Sequence, residues 1–223
     1  MSTATPVPGS VAGRVVVVAA DASAERLEPV VAQGNAAAAD GGTVHAAVVD
    51  LLDEQATLDW AGSVLAEFGR VDGLVHLVGG WRGGAAITES DLADWTLLQD
   101  LLVRTLQHTS RAFHDSLKAS DDARLVLIST VQAQAPSATN ASYAAAKAAA
   151  EAWTLAVADS FRGSNAAAVI LPIKALLTPA MREAKPQAKF SGYTEVSTLA
   201  DTIHDLWLTP ATELNGRRVA VTD

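Results

Sequence analysis

The chain has 223 residues, 49% hydrophobic and 18% charged, which is enough apolar material for a buried core and too little charge for a disordered chain. Sixteen Lys and Arg against 25 Asp and Glu leave a formal charge of −9, so neither nucleic acid nor an anionic membrane is expected as a partner. No cysteine is present, which removes disulfides, thiolate metal sites and cysteine nucleophiles and fits a cytoplasmic setting.

The length suggests a single domain, 1–223, with residues 1–12 as a loose tail. The opening MSTATPVPGS carries neither the basic nor the apolar part of a signal peptide. The longest apolar runs, Val15 to Ala20 and Ala166 to Leu171, are strand-length, far below the roughly 20 residues that span a bilayer.

In chain order, a Val-rich strand over Arg14 to Ala20 leads to a helix within Ala24 to Ala39, which Pro29 is expected to shorten. A strand over Val44 to Val49 closes on Asp50, and Asp53 puts a carboxylate at the start of a helix reaching Phe68. A strand over Gly73 to Val78 runs into GGWRGG (Gly79 to Gly84), read as a flexible turn. The T-x-x-D of Thr88 to Asp91 then caps a long helix, Ser90 to Ser120. Strand Arg124 to Ser129, helix Tyr143 to Phe161, strand Ala167 to Leu171, helix Thr198 to Leu208 and strand Arg218 to Val221 complete the chain. Short doubly apolar strands alternating with Ala-rich helices predict an α/β fold of Rossmann type, a doubly wound parallel sheet with helices on both faces. In such sheets ligands bind at the carboxyl ends of the strands.

Tyr143 and Lys147 stand four apart in ASYAAAKAAAEAW, so both leave one face of one helix. An ammonium beside a phenol favours the phenolate and draws its pKa toward neutrality. Thirteen residues earlier, Thr130 ends the strand RLVLIST, where its hydroxyl would anchor a substrate oxygen. The five histidines, His45, His76, His108, His114 and His204, have no metal-ligand spacing, and no metal is expected. His76 reads as a hydrogen-bonded strand residue.

Thr130, Tyr143 and Lys147, together with GRVDGLVHLVGG (Gly69 to Gly80), Asp50 and LPIKALLTPAM (Leu171 to Met181), resemble the short-chain dehydrogenase/reductase family over roughly three quarters of the chain. The resemblance implies an oxidoreductase that uses NAD or NADP to reduce a carbonyl or oxidise an alcohol of a small molecule. Tyr143 would be the acid/base, Lys147 would lower its pKa and hold the nicotinamide ribose, and Thr130 would position the substrate oxygen. It also implies that Asp50 lies near the adenine, that Gly79 and Gly80 belong to the cofactor loop, and that Pro172 and Thr178 border the nicotinamide. A homodimer or homotetramer built on the Trp95–Phe113 and Tyr143–Phe161 helices is implied as well.

The sequence departs from the family pattern in three places. Ala20, Ala24 and Arg26 stand where three glycines would cradle the diphosphate. Leu102 replaces an asparagine linked to a proton relay, and Ile173 follows Pro172 where glycine is usual. About one βα unit near the N-terminus is missing. Two alignments are open: VVVVAAD is the second strand, with Asp21 on the adenosine ribose and NAD preferred, or SVAGRVVVV is the first strand and the segment after it is lost. The alternative to an enzyme is a non-catalytic scaffold of the same fold that binds a partner or small ligand and no dinucleotide.

Overall fold

The computed structural model describes residues 11–20, 23–38 and 42–221. Its sheet is parallel, in the order β1 (Val16–Ala19), β2 (Gly73–His76), β3 (Ala123–Thr130), β4 (Ala166–Ile173). Every residue of β2 and β3 is buried, as parallel strands covered on both faces must be.

Side chains alternate between two cores. Leu74, Leu125 and Ala168 face α2 (Glu54–Phe68), α4 (Thr105–Ala119) and α5 (Ala141–Ser160), where they meet Ala61, Phe113, Leu117, Val157 and Phe161. Val75, Val126 and Val169 face the opposite layer, packing with Leu199 of α7 (Val196–Asp205), Trp207 and Leu214 of α8 (Ala211–Leu214).

The amino ends of the strands are clamped by charge. Arg14 donates to the Asp122 carboxylate at 2.8 Å, and the fully buried Arg124 donates to the carbonyls of Leu206 at 3.0 Å and Thr209 at 2.8 Å. Asp72 accepts from Arg70, Ser120 and the Val15 amide. These bonds stitch β1, β2, β3 and the turn after α7 together at one edge. The carboxyl edge is left for loops.

The N-terminal quarter departs from expectation. β1 pairs directly with β2, Val16 opposite Gly73, which is the place of a first strand in the order 3-2-1-4-5-6; SVAGRVVVV is therefore the first strand, and the second-strand alignment is wrong. Residues Val44 to Val49 form no strand. The Val44 amide and carbonyl pair with the Asn35 side chain at 2.7 and 3.1 Å, taking hydrogen bonds that a ladder would have used. Helix α1 (Ala24–Ala37) runs through Pro29 and buries none of its residues. At the sixth helical position proline forfeits one bond, to the Glu25 carbonyl, and ends nothing.

The expected Ser90–Ser120 helix is three segments: α3 (Ala93–Gln99), a π-helical turn over Asp100–Arg104, and α4. Asp91 rather than Thr88 serves its start, accepting from the Ala93 amide at 2.8 Å. The last predicted strand is reduced to one bridge, Ile170 with Arg218. A two-stranded sheet, β5 (Leu176–Leu177) with β6 (Thr194–Glu195), and α6 (Pro179–Ala184) between them were not foreseen. No helix among the described residues is long and apolar enough to cross a membrane.

Candidate active site

Thr130 is the last residue of β3, in register with Ile173 of β4, and is buried at the carboxyl edge. Its hydroxyl accepts from the Gln132 amide at 3.3 Å, capping the turn that follows. The chain returns through a short turn in which Ser137 and Asn140 cap each other, the Ser137 amide donating to Asn140 Oδ1 at 2.8 Å. This fixes where α5 begins, and Tyr143 is its third residue. The phenol lies beside the Thr130 hydroxyl, and its ring packs against the cluster of Leu98, Leu102 and Ala146.

One turn along α5, the buried Lys147 donates to the carbonyl oxygen of Ile128 at 2.8 Å. Burial lowers its pKa to about 8, against the attraction of Glu151. Tyr143 moves the other way: burial raises its pKa, and the neighbouring Thr130 hydroxyl only opposes this. Burial therefore keeps the phenol protonated at neutral pH.

Gly79 and Gly80 follow β2, and a Cβ at Gly80 would lie 3.1 Å from Leu101 Cδ1, so backbone and helix approach closely there. Pro172 stands beside Ser129 across the β3–β4 ladder. Thr178 caps α6, accepting from the Met181 amide at 3.2 Å. Asp50 is exposed and accepts from the Leu52 amide at 2.9 Å. Asp21 lies outside the described residues.

GGWRGG is less free than a flexible turn. The Gly84 amide donates to Thr139 O at 2.7 Å, and a Cβ on Gly83 would stand 2.7 Å from that same oxygen. The loop is therefore seated on the turn that leads into α5. Arg82, 3.9 Å from Asp94, lines a small recess with Ser90, Asn140 and Ser142.

Two polar features lie behind the site: His76, expected as a hydrogen-bonded strand residue, and Glu151, which sequence reasoning missed. His76 is wholly buried, with Thr105 Oγ1 at 3.2 Å and Thr109 Oγ1 at 3.3 Å; desolvation, and then the charge of Lys147, lower its pKa to about 3. The imidazole is neutral and braces the helix beyond the π turn that carries Leu102. The second feature is Glu151, which accepts from Ser129 and Arg218. Its signal was present, since Y-x-x-x-K-x-x-x-E extends one helical face by another turn.

A Ser–His–Asp contact also exists elsewhere: His114 lies 2.9 Å from Ser160 Oγ and 2.8 Å from Asp115 Oδ1. Ser160 donates to the Val157 carbonyl at the carboxyl end of α5, where helix carbonyls repel an oxyanion, and Asp115 is fully exposed. It is a surface contact.

A model of the short chain dehydrogenase family matches residues 11–189. The chain belongs to that family. A short-chain type dehydrogenase/reductase from Mycobacterium ulcerans shares 22% identity and superposes with a TM-score of 0.81, over 93% of this chain and 78% of that one. A protein from Pseudomonas syringae, described as a short chain dehydrogenase, is 20% identical with a TM-score of 0.83 over 98% of both chains. A xylitol dehydrogenase with NAD+ bound is 16% identical with a TM-score of 0.78, over 92% of this chain and 87% of that one. These likenesses establish the fold. Within it this chain carries Thr130, Tyr143 and Lys147 at the carboxyl edge and has no glycine between β1 and α1.

Proposed function

We propose that this short chain dehydrogenase is a cytoplasmic oxidoreductase that interconverts a carbonyl and an alcohol on a small molecule with NAD or NADP. The observation that carries the reading is the placement of Tyr143, at the start of α5, beside Thr130, at the carboxyl end of β3. It holds a phenol and a second hydroxyl where one substrate oxygen would meet both. Tyr143, kept protonated by burial, donates its proton to that oxygen in reduction and accepts one in oxidation. Thr130 orients the oxygen.

The nicotinamide half of the cofactor fits the residues present. Lys147 has three N–H donors and directs one to Ile128, which leaves others for ribose hydroxyls. Gly80 brings bare backbone to the edge, and Pro172 and Thr178 border the same ground. The cofactor, when bound, supplies hydride exchange. At the adenosine half Asp50 is available, exposed ahead of α2. Assembly as a homodimer or homotetramer through the α3–α4 and α5 helices fits the exposed Leu97, Ala145, Ala152 and Leu155.

The alternative, a non-catalytic scaffold, is favoured by one observation: the β1–α1 junction has no glycine, and α1 buries nothing against the sheet. Titration with NADH and NADPH, followed by tryptophan quenching and calorimetry, separates the two readings. Saturable micromolar binding that weakens in Lys147→Ala, followed by turnover of carbonyl substrates that is lost in Tyr143→Phe, is the expected result. No binding at millimolar cofactor would select the scaffold.

A further inference from the structure

A buried carboxylate beside the site has no part in the reaction as described. Glu151 lies on the face of α5 that carries Tyr143 and Lys147 and is 6% exposed. Both carboxylate oxygens are taken: Ser129 of β3 donates to one and Arg218 of the C-terminal segment to the other. Arg218 is in turn held by its bridge to Ile170 of β4. Residues from three separate parts of the chain thus meet one turn beyond Lys147.

Such an arrangement is a poor device for stability alone. Desolvating a carboxylate and a guanidinium costs about as much as their attraction returns, and apolar replacements of the same size are often as stable or more so. What the pair does accomplish is to put a fixed negative charge, unable to swing away, next to a lysine that the interior would otherwise discharge. The charged and titratable groups around Lys147 are Glu151 and Tyr143 on its own helix, His76 from β2, and Arg218 from the C-terminal segment behind Glu151. His76 is neutral and Tyr143 protonated, so Glu151 is the one negative charge in this group.

We propose that Glu151 is a positioning residue that keeps Lys147 charged and seated on Ile128, with Ser129 and Arg218 fixing the carboxylate, so that the C-terminal segment forms part of the active site. The proposal rests on the dehydrogenase reading for its catalytic meaning. Its electrostatic content stands without that reading.

Lysine labelled with 13C at Cε makes both parts measurable, because the chain has only five lysines, Lys118, Lys147, Lys174, Lys185 and Lys189. The Lys147 signal is assigned from its loss in Lys147→Arg and titrated in the wild type and in Glu151→Gln. The expected result is a midpoint for Lys147 about one unit or more lower in Glu151→Gln, with the other four unchanged. The alkaline limb of kcat/KM should move down by the same amount, while a merely structural role would lower activity at every pH alike. The double variant Glu151→Gln with Arg218→Gln, which strands no guanidinium, should shift the midpoint in the same direction by a smaller amount, because the Arg218 charge opposes that of Glu151, and it serves if the single variant does not fold.

An unchanged Lys147 midpoint in a folded variant overturns the proposal. So does a shifted midpoint with an unmoved alkaline limb. If the wild type shows no dehydrogenase activity, the reading of function fails, and the midpoint alone decides whether Glu151 holds the charge on Lys147.

Discussion

The ammonium of Lys147 donates to the carbonyl oxygen of Ile128 at 2.8 Å. Ile128 is two residues before Thr130 on the same strand, so one bond ties α5 to the end of β3 and sets the lysine, the tyrosine and the threonine in common register. Changes to any of the three should therefore alter chemistry more than fold.

Tyr143→Phe removes the proton donor and leaves the ring in its cluster with Leu98 and Leu102. A loss of about 10²- to 10⁴-fold in kcat is expected, with the thermal midpoint essentially unchanged. Thr130→Ser should keep most activity and Thr130→Ala little of it. Steady-state kinetics beside thermal melts are the check, and a Tyr143→Phe enzyme within threefold of wild type would remove the assignment.

Because the Lys147 pKa is lowered to about 8, its charge is present at neutral pH and lost as pH rises through that value. Reduction should accordingly fall off above about pH 8, well below the range where an ordinary lysine titrates. A profile of kcat/KM against pH measures this, and a flat profile to pH 10 would contradict it.

His76 makes stability depend on acid. An unfolded histidine takes its proton at the ordinary value of 6.5, and folded His76 does so only near 3. Between these the unfolded chain binds the extra proton, so stability falls as pH is lowered, by up to about 1.4 kcal/mol per pH unit from this residue. Below about 3 the contribution is flat. His76→Asn keeps a hydrogen-bonding group and should show a shallower dependence of urea midpoint on pH between 6 and 4. Parallel curves for the two proteins would count against it.

Arg124 has no exposed surface and reaches Asp122 and the carbonyls of Leu206 and Thr209. Truncation to Ala strands those groups and should cost about 3–5 kcal/mol, read from chemical denaturation. The active edge is at the other end of the sheet, so kcat of the remaining folded protein should change little.

Gly83→Ala would bring a Cβ to 2.7 Å from Thr139 O. The GGWRGG loop must then lift from the turn ahead of α5, where the Gly84 amide now bonds to that oxygen. The expected outcome is a raised KM with little change in thermal midpoint, measured with whichever substrate the enzyme turns over.

The chain's local patterns determined most of the sheet. RLVLIST and AAAVILP are apolar on both faces, which only a doubly covered parallel strand satisfies, and both became long, almost wholly buried strands. The helix ASYAAAKAAAEAW was equally plain, because its residues favour helix whatever surrounds them, and with it came the face shared by Tyr143, Lys147 and Glu151.

Tertiary structure decided what depends on partners distant in sequence. Val44 to Val49 has strand composition, yet a strand exists only where another offers its hydrogen bonds; here Asn35 takes those of Val44, and no strand pairs with the rest. The direction of the Lys147 ammonium and the raised pKa of Tyr143 follow from burial and from the Ile128 carbonyl, neither of which the spacing of two residues on a helix contains. Arg218, 67 positions from Glu151, carries no local mark of its role. Charge pairing is a matter of distance in space, and only the folded chain sets that distance.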